Sequence, residues 1–75
     1  KDGRKAAAIG IWDCVDGDPE YGEIQVWYAA PVDEDGEPLD MPEDTWCCDD
    51  EDAAEDAAEA LLKNPKYKGL HIEKF

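Results

Sequence analysis

The sequence predicts a small α+β domain, an antiparallel sheet of three or four strands with one amphipathic helix packed on one face, in the order β-β-(β)-α-β. Three observations predict it. Two stretches near the start alternate side chains onto opposite faces and flank a segment dense in turn residues. Residues 49–64, DDEDAAEDAAEALLKN, repeat small and apolar residues on a 3.6-residue period. Residues 66–75 return to alternation.

Residues 1–5, KDGRK, read as a basic, loose start. Residues 6–15, AAAIGIWDCV, read as a strand with Ala7, Ile9 and Ile11 on one face and Ala8, Gly10, Trp12 and Cys14 on the other. Residues 16–22, DGDPEYG, reverse the chain. Residues 23–32, EIQVWYAAPV, form the second strand, with Ile24, Val26, Tyr28 and Ala30 expected on the core face and Trp27 on the face of Trp12. Pro31 marks an edge or the strand's end. Residues 33–44, DEDGEPLDMPED, have no periodicity and read as an exposed acidic loop. The run 45–48, TWCC, is β-prone and offers a third strand.

The helix is the most strongly specified element. Ala53, Ala54, Ala57, Ala58, Ala60, Leu61 and Leu62 fall on one side, and Asp52, Glu55, Asp56 and Glu59 on the other, within about 100°. Asp49 or Asp50 can cap the free N–H groups, acids crowd the positive first turn, and Pro65 prevents continuation. After it, Leu70 and Ile72 alternate with His71 and Glu73 as a final strand. Ile9, Ile11, Ile24, Val26, Tyr28, Leu61, Leu70 and Ile72 are the expected core.

Seventy-five residues suffice for one domain with one small core. There is no apolar run of the roughly 20 residues a membrane span needs, and no signal peptide is visible, so a soluble, cytoplasmic protein is expected.

The net charge is −14, and its distribution matters more than its size. Nineteen acidic residues and no Lys or Arg lie between positions 13 and 59. Direct nucleic-acid binding is thereby disfavoured, because its main attraction is Lys and Arg to phosphate. A partner that itself binds nucleic acid fits the charge. Disorder is opposed by 43% hydrophobic content with three Trp. A high-salt environment or solubility alone would also explain acidity.

Two surfaces are candidate binding sites. The acidic one comprises Asp33, Glu34, Asp35 and Glu37 in the loop and Asp52, Glu55, Asp56 and Glu59 on the helix, joined by the 16–20 turn. Its carboxylates are expected at separations comparable to backbone phosphates, roughly 5–7 Å. The aromatic one is Trp12 with Trp27, an anchor for a partner or a homodimer if the sheet face stays open.

Other chemistry has little to stand on. Asp33, Asp35 and Gly36, or Asp16 and Asp18, fall short of calcium-loop spacing, so no metal or other cofactor is expected. Cys14, Cys47 and Cys48 lack a zinc pattern and are expected as buried, reduced thiols, a Cys14 bridge to Cys47 or Cys48 being the alternative. His71 is the single histidine and there is no Ser, so no catalytic residues are assigned and the chain reads as a non-enzyme.

In size, acidity and mixed pattern the chain is similar to phage-encoded nucleic-acid mimics such as anti-CRISPR proteins, anti-restriction proteins and the uracil-DNA glycosylase inhibitor. That likeness implies an inhibitor that presents carboxylates to a basic nucleic-acid-binding protein. The alternative is a non-catalytic acidic domain, homodimeric through its aromatic face, whose charge serves solubility or a salty environment.

Overall fold

The computed structural model describes residues 5–75, so the basic start at positions 1–4 lies outside the described residues. Two eleven-residue strands, β1 (Ala8–Asp18) and β2 (Gly22–Val32), form a long antiparallel hairpin. The loop between them is short, with Tyr21 N–H donating to the Asp18 carbonyl at 3.0 Å. β3 (Trp46–Cys48) pairs antiparallel with the outer edge of β2, α1 spans Glu51–Leu62, and β4 is Ile72–Lys74. The strand order is β3-β2-β1-β4.

The α+β architecture is the expected one, but the sheet is mixed. β4 runs parallel to β1, pairing Ile72 with Ile9 and Lys74 with Ile11. A parallel neighbour needs a long connection, and residues 19–71, which include β2, β3 and α1, lie between β1 and β4.

α1 starts where its cap dictates: the Asp50 carboxylate accepts from the Ala53 N–H at 2.8 Å. Ala54, Ala58 and Leu61 bury themselves against Ile9, Ile11 and Ala29, with Tyr67 completing the core. Alanines let the helix approach closely but remove little apolar area each, so Ile9 and Ile11, both fully buried, carry much of the burial.

The register corrects the expected face of β2. Pairing matches Ile11 with Ala29, Asp13 with Trp27 and Trp12 with Tyr28. Trp27 therefore packs with the helix-side core, while Ile24, Val26, Tyr28 and Ala30 lie on the opposite face. Ile24 is 61% exposed and Tyr28 is half-buried, so neither belongs to the core.

The 33–44 loop is mostly exposed, as expected, but two of its residues turn inward. Leu39 is buried, its N–H donating to the Pro31 carbonyl at 3.0 Å, and Val32 bridges Pro38. The Gly10 Cα faces the Phe75 ring and the Val32 side chain, so the face away from α1 is covered near this end of the sheet. Asp44, in a short 3-10 turn at Pro42–Asp44, is buried and accepts from the Tyr67 hydroxyl.

Candidate functional site

The predicted acids are not one surface. On α1, Asp52, Asp56 and Glu59 are exposed, but Glu55 is half-buried and joins Glu51 in gripping Lys74 of β4, whose Nζ lies 3.0 Å from Glu51. Those two carboxylates favour the charged ammonium and raise the pKa of Lys74. Glu55 thus fastens the helix to the sheet edge as well as contributing charge.

The loop acids sit in another layer. Gly36 lies beside the Phe75 ring, on the face away from α1, which places Asp33, Glu34, Asp35 and Glu37 across the sheet from the helix arc. Asp33 shapes this loop, its carboxylate accepting from the N–H groups of Asp35 and Glu37, both at 2.9 Å. Asp16 and Asp18 do the same in the hairpin, accepting from Gly17 and Glu20 at 2.8 Å. Among the described residues no group of His, Cys, Asp or Glu is placed to hold a metal ion.

The tryptophans are separated by the sheet. Trp12 stacks instead on Tyr28, with ring centroids 5.6 Å apart and planes at 22°. Beside this pair lies an open, mostly apolar depression of about 450 Å³ lined by Tyr28, Pro38, Leu39, Met41, Pro42 and Cys47. The Cys47 thiol, by hydrogen bonding and by charge, raises the pKa of the Tyr28 hydroxyl.

No protein-family model, curated protein or solved structure matches this chain.

One feature escapes sequence reading: the hairpin outruns the domain. Residues 13–18 of β1 and 22–25 of β2 are exposed on both faces, and the molecule measures 41 × 26 × 20 Å. This arm leaves Val15, Tyr21 and Ile24 in water at 62, 86 and 61% exposure. It carries Asp13, Asp16, Asp18, Glu20 and Glu23, none of which has a salt bridge among the described residues. The dense turn composition of residues 16–22 hides the length of the strands flanking it.

The cysteines are free, and Cys14 and Cys47 are exposed rather than buried. Cys14 is on β1 and Cys47 on β3, with β2 between them, so two strand spacings of about 4.8 Å separate their backbones, beyond disulfide reach. Burial, then the nearby Cys47, Asp49 and Asp50, raises the pKa of the Cys48 thiol. Thiol labelling of the native protein is expected to modify Cys14 and Cys47 quickly and Cys48 slowly. Equal rates at all three, by mass spectrometry, would contradict this placement of Cys48.

No helix among the described residues is long and apolar enough to cross a membrane.

Proposed function

We propose that this protein is a non-catalytic inhibitor acting in the cytoplasm, which binds a protein with a basic nucleic-acid-binding surface and occupies it in place of the nucleic acid. The observation that carries this reading is the stretch from position 13 to 59, which holds nineteen acids and no Lys or Arg. The arm, the 33–37 loop and the outer arc of α1 carry many of these carboxylates, on both sides of the sheet, whereas Asp44 is buried and Glu51 and Glu55 pair with Lys74. Such an object suits a groove or channel that surrounds its ligand better than a flat basic patch. Electrostatic complementarity of this kind speeds association and weakens with ionic strength.

The test is capture from lysate at low salt, followed by a NaCl gradient and by competition with nucleic acid. One nucleic-acid-binding protein, released at moderate salt and displaced by its own DNA or RNA, is the expected result. Reversing Asp52, Asp56 and Glu59 to Lys changes the net charge by six and leaves the Glu55–Lys74 pairing intact; binding is expected to fall by at least about tenfold, a change of about 1.4 kcal/mol. Capture indifferent to salt, to competitor and to charge reversal would leave acidity as a solubility device.

A further inference from the structure

The outer edge of β2 is occupied along most of its length. β3 pairs with Trp27, Tyr28 and Ala29, and the loop takes the next stretch through the Val32–Pro38 bridge and the Leu39 to Pro31 hydrogen bond. Toward the arm's tip, no strand among the described residues covers residues 23–26. Position 25 shares the parity of Pro31, whose carbonyl is used from the outer side, so the main-chain N–H and C=O of Gln25 face outward, as do those of Glu23. The edge of β1 toward the tip is less regular, since Gly17 has a φ of +110°.

An open edge is a template for another strand, and proteins commonly blunt it with Lys or Pro. Residues 23–26, Glu-Ile-Gln-Val, have neither. Charge protects this edge against its own copies: each arm carries five carboxylates and no base, within a chain of net charge −14. The same charge attracts a cationic strand.

We propose that the edge of β2 at residues 23–26 is the docking site for a β-strand of the partner protein, one that alternates basic and apolar side chains. The two faces of the ribbon specify that alternation. On the helix side, Glu23 and Gln25 are joined by Asp13, whose carboxylate accepts from the Gln25 side-chain Nε2 at 2.7 Å. On the other side are Ile24 and Val26, the first largely in water. A strand laid in line with β3 sets its basic side chains beside Glu23 and Gln25, with the Asp13 charge one strand further on, and its apolar ones on Ile24. The proposal rests on the reading of the partner as a basic protein and adds how that protein is held.

The experiment uses a capped octapeptide of alternating Lys and Val, titrated into isotopically labelled protein and followed by amide chemical shifts. Shifts concentrated at residues 23–26 are expected. Gln25→Pro removes one outward N–H at a position whose parity already tolerates Pro31, and is expected to weaken the peptide about tenfold. Methylating alternate amides of the peptide is expected to do the same, and this arm of the test stands even if Gln25→Pro does not fold. A Glu/Val peptide is expected not to bind. Shifts centred on Asp52, Asp56 and Glu59, or equal binding by the methylated peptide, would overturn edge pairing. No nucleic-acid-binding protein enters this assay, so it fails or succeeds independently of competition between captured partner and nucleic acid.

Discussion

Replacing Ile11 with Ala is expected to cost about 2–5 kcal/mol, which leaves much of the population unfolded at physiological temperature. Ile11 is fully buried in the cluster of Ile9, Ala29, Ala54, Ala58 and Leu61. Three of these neighbours are alanines, which cannot swing into the space left behind, so the site collapses poorly. A domain of this length has total stability of only about 4–11 kcal/mol, and self-repulsion at −14 reduces it further. Urea denaturation followed by Trp fluorescence checks the loss. A change below about 1 kcal/mol would mean that the core is not centred on Ile11.

The second large effect is expected at Tyr67, which is buried and donates its hydroxyl to Asp44. Asp44 is buried as well, and Lys66 Nζ at 3.2 Å supplies its counter-charge. Tyr67→Phe removes the donor while leaving the carboxylate in place, an expected cost of about 1.5–3 kcal/mol. Burial, then the Asp44 hydrogen bond and charge, pushes the Tyr67 pKa well above its ordinary 10.0. The folded state therefore holds the phenol proton more tightly than the unfolded chain. Its contribution is full below pH 10.0 and falls as pH rises beyond that value, where only the unfolded chain gives up the proton. The melting temperature of the native protein is expected to drop more steeply above this pH than that of the Phe variant. Parallel curves would remove Tyr67 as the cause.

The helix was legible because period, cap and terminating Pro65 agree over sixteen residues, and Asp50 caps it as the charge order suggests. The strands were legible by alternation, but alternation leaves open which face is inside. The reversal centred on Glu20 settles it, pairing odd positions with odd ones, as Ile11 with Ala29. Large side chains such as Ile24 and Tyr28 suggest a core on their own face, whereas small Ala29 accepts the helix. Tyr67 and Leu39 lie in segments without periodicity, so their burial leaves no pattern to read. Of the candidate site, the residues of the acidic helix arc were legible; their separation from the loop acids depends on tertiary placement. The parting of Trp12 from Trp27 follows from the same register that moves Ile24.

The parallel pairing of β4 with β1 also sets an order of assembly. The hairpin joins neighbours in sequence and can close on a timescale of microseconds. Ile9, by contrast, meets Ile72 only after a separation of about 60 residues, a far larger loop to close. Because β4 is the outer neighbour of β1, that strand stays one-sided until this late contact forms, and Ile72 and Leu70 reach the helix-side core only then. A ribosome-bound chain halted before Ile72 would thus display its hairpin while β1 still lacked a neighbour along Ile9–Ile11, an apolar edge left open until the last residues emerge.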